Sequence, residues 1–76
     1  MPFRGEKATQ LSKLGANVRR ERTNKGLTQE QLAEKIEISL RNVQRIEAGE
    51  INPLATTLVR LRRALGCSAD KLLPRS

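Results

Sequence analysis

This sequence predicts an all-α domain of five helices, and three observations support that fold class. Between Thr28 and Gly49, two short helical patterns are joined by a tight connection, each with its own capping residue. From Leu54 to Leu65, leucines recur at helical spacing and a glycine follows. Ahead of both lies a longer stretch in which Leu11, Leu14, Gly15 and Val18 share one helical face. The chain has 76 residues, enough for one small domain that is only marginally stable alone.

Residues 1–8 carry Pro2, Gly5 and three charges without an apolar period. They read as a flexible tail before a domain spanning residues 9–74, and Arg4 and Lys7 could reach DNA from it as an arm. The first helix is expected from Thr9 or Gln10 to Asn24, with Gly26 ending it. Its period carries Arg22 onto the apolar stripe, where a guanidinium needs a partner. Glu47 has the matching problem on the inner face of the third helix, so the two are expected to pair. Lys13, Arg19, Arg20 and Glu21 read as solvated charge, with Arg19 the best placed for a distant phosphate contact. Leu27 should fill the space between helices one and two.

Thr28 can cap the second helix, its hydroxyl oxygen accepting from the free amides of the first turn. Gln31, three residues on, completes a capping-box pattern. Leu32, Ala33 and Ile36 follow at helical spacing, while Glu30, Glu34, Lys35 and Glu37 should face away from any polyanion. Ser39 can cap the third helix, which runs to Ala48 and stops at Gly49. Val43, Ile46 and Glu47 point to one side of it. Arg41, Gln44, Arg45 and Ala48 point to the other.

Arg pairs bidentately with guanine and Gln with adenine, which makes Arg41 and Arg45 the leading base readers and Gln44 the next. The same residues would also make an ordinary solvated face, and the capped hairpin before them favours DNA. Asn42 lies on the flank and suits a phosphate. Leu40 either packs on the scaffold or touches a thymine methyl, and the sequence leaves both open.

The fourth helix is expected from Leu54 or Ala55 to Leu65, with Leu54, Leu58, Leu61 and Leu65 as its stripe and Arg60 and Arg63 opposite. Gly66 stops it. Cys67 reads as a buried, inert thiol. Ser68 can cap a last short helix with Ala69, Asp70, Leu72 and Leu73, closed by Pro74. Five helices of this size cannot enclose every leucine. Val59, Leu65, Leu72 and Leu73 are therefore expected to form an exposed apolar patch and the interface of a two-fold homodimer. The alternative is that they complete the monomer core.

The stretch resembles the helix-turn-helix of the Cro and phage-repressor (XRE) family, which includes controller proteins of restriction-modification systems. The matching residues are Leu27-Thr28-Gln29-Glu30-Gln31-Leu32-Ala33, Ile38-Ser39, Val43-Gln44-Arg45-Ile46-Glu47-Ala48-Gly49 and Pro53. The resemblance implies a five-helix, phage-repressor-like DNA-binding domain. Its function would be sequence-specific binding of double-stranded DNA by a transcriptional regulator. A homodimer would read a palindromic operator with helix three, about Leu40–Ala48, in the major groove, half-sites lying about 34–36 Å apart.

The resemblance also implies the Arg22–Glu47 pair. It sets Gln29 against the DNA backbone, where the positive end of helix two helps. Ser39 and Asn42 are further backbone candidates. Asn52, in the loop held by Pro53, is either another or part of a plain connector. One departure stands out. Glu37 occupies the turn position where this family usually has Gly, and a non-Gly residue with positive φ costs roughly 1 kcal/mol.

Composition narrows the function. A net charge of +7 and a pI near 10.8 favour a polyanionic partner. Phe3 is the one aromatic residue, so the stacking platforms of single-strand and RNA binders are missing. With no His, no Tyr, one Cys and one Asp, neither a catalytic triad nor a His/Cys metal site can be assembled. No Gly-rich phosphate loop occurs. An enzyme, a cofactor, a metal and a small-molecule ligand are all unexpected. The lone cysteine excludes an internal disulfide. No run is apolar enough to cross a bilayer, no signal-peptide core is present, and a membrane-surface role gains no support, so a cytoplasmic protein is expected. The rival class is an antitoxin or protein-interaction adaptor using the same fold, with the tail as its contact segment.

Overall fold

Five helices follow one another in the computed structural model, which describes the backbone of residues 2–74 and the side chains of residues 9–74. They are α1 (Pro2–Asn24), α2 (Gln29–Ile36), α3 (Leu40–Glu47), α4 (Ala55–Leu65) and α5 (Ala69–Leu72). The four later helices start and stop close to their expected bounds. The first does not: α1 begins at Pro2 and continues as helix through residues 2–8, where a tail was expected. Extending an existing helix adds one hydrogen bond per residue without a new nucleus, and Pro2 fits a first helical turn, which needs no N–H donor.

The caps form as their residue types dictate. The Gln31 amide donates to Thr28 Oγ1 at 3.0 Å and the Thr28 amide donates to Gln31 Oε1 at 2.9 Å, a complete capping box. The Asn42 amide donates to Ser39 Oγ at 3.1 Å.

Four helix ends share one device. After α1, the Leu27 amide reaches back to the Arg22 carbonyl at 3.1 Å; after α2, Ile38 reaches Ala33 at 3.1 Å. After α3, Glu50 reaches Arg45 at 2.9 Å; after α4, Cys67 reaches Arg62 at 3.2 Å. This bond needs a left-handed residue just before the donor. Glycine supplies it three times, and the turn between α2 and α3 uses Glu37 instead, at φ 59° and ψ 44°. Among the described residues, Glu37 is the one non-glycine with positive φ.

The core draws on every helix: Leu14 and Val18, Leu32, Ala33 and Ile36, Val43 and Ile46, Leu61 and Leu65, and Leu72. Leu27, Ile38, Ile51, Leu58, Ala64 and Cys67 pack around it. α1 lies against α3, α4 and α5, and α2 lies against α3 and α4. The α1–α3 approach is close enough to require glycine. A Cβ at Gly15 would sit 2.5 Å from the carbonyl oxygens of both Ile46 and Glu47.

The carboxyl end corrects the expected patch. Leu65 and Leu72 are 4% and 2% exposed and belong to the core, whereas Val59 and Leu73 stand 44% and 46% exposed. α5 folds back onto α1, which closes over Leu72, and Leu65 falls on the inner stripe of α4 with Leu61. Leu54 leaves the expected stripe: it is the N-cap residue of α4 and is 73% exposed.

α5 is a single turn, too short to satisfy its own carbonyls. Asn17 Nδ2 donates to the Leu72 carbonyl at 2.9 Å and Arg20 Nη2 to the Lys71 carbonyl at 2.9 Å. Arg20 is thus a fastening for α5 rather than free surface charge. Cys67 is half-buried. Burial first, and then the nearby Glu21 charge, push its thiol above the ordinary range.

Candidate nucleic-acid interface

α3 is held by its apolar side. Val43 and Ile46 are 1% and 3% exposed, while Arg41, Gln44 and Arg45 are exposed on the opposite side. With Ala48 and Glu50 these three outward residues line one shallow concavity. Among the described residues, the side chains of Arg41 and Gln44 have no hydrogen-bond or ion-pair partner. Arg45 Nε lies 3.7 Å from Glu50 Oε1, with both side chains largely in solvent. Neither guanidinium is folded into the protein, and no other helix covers this side of α3. Leu40 is half-buried at the start of the helix, between its two sides.

Beside this surface, Arg19, Arg22, Gln29, Gln44, Glu47 and Ala48 line a second concavity where α1, α2 and α3 converge. At its floor, Arg22 Nε donates to Glu47 Oε2 at 2.6 Å, Nη2 donates to Oε1 at 3.1 Å, and Nη1 donates to the Leu27 carbonyl at 2.8 Å. The pair is well enclosed, its side chains 11% and 4% exposed. Ion pairs are seldom this dry unless every polar atom is satisfied. That condition holds: no buried side-chain N or O atom among the described residues lacks a partner.

Gln29 completes the set, and sequence reasoning did not see how. Its Nε2 donates to Glu47 Oε1 at 3.0 Å. One of its two amide hydrogens is therefore committed to the protein, leaving the second hydrogen and the carbonyl oxygen for a ligand. Arg19 stands on the rim of the same concavity.

On the other flank of α3, Asn42 and Asn52 share a groove with Ile38, Ile46, Ile51, Pro53, Leu54 and Thr57. Ser39 lies at the neighbouring helix start. Its oxygen is occupied as a cap, and its hydroxyl proton remains available to donate. The structure thus brings Gln29 with Gln44 on one side and Asn42 with Asn52 on the other. Val59 and Leu73 lie apart from this surface, in a groove with Leu58, Arg62, Ala69 and Leu72. Glu50 escaped notice in the sequence, although a signal existed: a helix stopped by glycine brings the residue after Gly49 back over Arg45.

Two short helices joined at a tight left-handed turn, the second with its inner side buried and its outer side basic, define a helix-turn-helix domain. The chain belongs to that family, in its XRE-type branch of transcriptional regulators: a helix-turn-helix family model matches residues 18–72.

The chain is 38% identical over 60 residues to the uncharacterized HTH-type transcriptional regulator y4dJ of Sinorhizobium fredii, covering 79% of this chain and 78% of that protein. It resembles the crystal structure of the restriction-modification controller protein C.AhdI from Aeromonas hydrophila with a TM-score of 0.82 and 32% identity, over 86% of this chain and 98% of that one. The clp gene regulator ClgR from Corynebacterium glutamicum matches with a TM-score of 0.79 and 30% identity, over 83% of this chain and 67% of that one. The family is one of transcription regulators and not a class of enzymes. Among the described residues no helix is long and apolar enough to cross a membrane.

Proposed function

We propose that this protein is a sequence-specific regulator of transcription that binds a palindromic operator in double-stranded DNA as a homodimer. α3 enters the major groove. Arg41 and Arg45 read guanines, Gln44 reads an adenine, and the exposed edge of Leu40 meets a thymine methyl. One observation carries this reading: two unburied arginines and a glutamine project from a helix whose opposite side is locked into the core.

Phosphate contacts flank the base readers. On one side stand Gln29, through its second amide hydrogen and the free backbone amide of the first turn of α2, and Arg19. On the other stand Ser39, Asn42 and Asn52. The net charge of +7 draws the protein to DNA of any sequence, and the base contacts then select.

Dimerisation follows from the apolar surface that the monomer leaves open. Val59 and Leu73 are its exposed members, and Leu58 and Leu72 line the same groove. The likeness to a controller protein over 98% of that chain supports a controller-type role, which needs neither cofactor nor membrane. The cytoplasm is the compartment this role requires.

Selection of bound duplexes from a random pool, followed by a salt titration on the winner, tests the proposal. A recovered palindrome whose affinity falls steeply with salt supports it. An adaptor or antitoxin that uses the fold only for protein contacts would yield no common sequence from the pool and hold every duplex alike, weakly and only at low salt.

A further inference from the structure

Glu50 is out of place on a surface that meets DNA. It lines the concavity formed by Arg41, Gln44, Arg45 and Ala48, and its side chain is 61% exposed. A carboxylate there repels phosphates and weakens binding to any duplex. Glu47, the other acid beside α3, is neutralised by the Arg22 fork. Glu50 has only Arg45, at 3.7 Å in solvent, too long for a hydrogen bond and too exposed to matter for folding.

Its placement is nonetheless set by the backbone. The Glu50 amide donates to the Arg45 carbonyl at 2.9 Å. The bond that closes α3 therefore holds the Glu50 backbone over the turn that carries Arg45, so the two side chains arrive at the groove together.

We propose that Arg45 and Glu50 read a single G·C base pair as a unit. In the major groove guanine presents the acceptors N7 and O6, and the cytosine paired with it presents the N4 amino donor beside them. Arg45 donates its fork to the guanine. Glu50, carried alongside, accepts from the cytosine amino group. An A·T pair in the same orientation turns thymine O4 toward the carboxylate, oxygen against oxygen. A reversed G·C pair turns guanine O6 toward it, and a reversed A·T pair is refused at Arg45, which then meets thymine O4 and its methyl in place of guanine N7 and O6. Glu50 acts chiefly against the wrong bases, and the affinity it forfeits on every duplex is exchanged for discrimination. The inference rests on the proposed placement of α3 in the major groove, and it adds a second reader on the loop that follows.

The test compares wild type, Glu50→Gln and Glu50→Ala at one salt concentration. The duplexes are the selected operator, operators with each G·C pair exchanged in turn, and a random duplex. Wild type should lose about tenfold or more on exchange of one particular G·C pair. Glu50→Ala should cut that loss to a few-fold and bind the random duplex several-fold more tightly. Glu50→Gln should fall between, because an amide can either accept or donate. An equal gain on operator and random duplex, with every exchange penalty intact, would reduce Glu50 to a bystander charge and overturn the inference. Wild-type protein that holds all duplexes alike would instead overturn the regulator reading, and this inference with it.

Discussion

Glu37 shows most plainly what one residue can cost. Its left-handed backbone closes the turn between α2 and α3, a position glycine occupies without steric penalty. Glu37→Gly should raise stability by about 1 kcal/mol in a denaturant melt and leave operator preference unchanged. Gly15 is the reverse case, since its hydrogen faces two carbonyl oxygens of α3. Gly15→Ala should force α1 away from α3 and destabilise by several kcal/mol, about the scale of a severe backbone clash.

The Arg22–Glu47 pair lies between these extremes. Glu47→Ala strands a guanidinium in the core and should cost about 3–5 kcal/mol in stability, a loss visible in the melt without any DNA present. Arg45→Ala should cost about 1–3 kcal/mol on the operator and relax one base position, with the melt unchanged. If Arg45→Ala binds the operator with its preferences intact, Arg45 is not a base reader.

At the scale of elements, the helix ends were legible because caps and stops are local. Thr28 with Gln31, Ser39, and the glycines after α1, α3 and α4 act on backbone groups within a few residues of themselves. The inner and outer sides of α3 were legible for the same reason, as periodicity alone separates Val43 and Ile46 from Arg41, Gln44 and Arg45. The start of α1 was not. No apolar period marks residues 2–8, yet the helix continues through them.

The fastening of α5 was equally invisible, because Asn17 and Arg20 meet carbonyls more than fifty positions away in the chain. Asn17→Ala should loosen α5 by about 1 kcal/mol. Hydrogen exchange would report it as faster exchange in α5 with little change in α2 and α3.

For the molecule as a whole, charge and apolar surface set the behaviour. A dimer making about 6–10 phosphate contacts should lose roughly 10³–10⁵ in affinity between 50 and 200 mM salt. Sedimentation at micromolar concentration reads the assembly, and a pure monomer of 8.5 kDa would remove the two-fold operator from the account. A charged substitution such as Val59→Glu should abolish the proposed dimer and leave the monomer fold intact, since Val59 is 44% exposed.

The division between sequence and tertiary structure follows distance along the chain. Helix limits other than the start of α1, capping residues, the inward and outward sides of α3, the family and the need for an Arg22–Glu47 pair were written in short-range pattern. Those features depend on backbone bonds and periodicity that neighbouring residues enforce. Three things waited for the packed molecule: that Leu65 and Leu72 are core while Val59 and Leu73 are surface, that Glu47 also holds the Gln29 amide, and that Glu50, which the glycine stop returns over Arg45, lines one concavity with Arg41 and Gln44. Each depends on how helices or a returning loop meet in space, and a periodic pattern names a side of a helix without saying what will cover it.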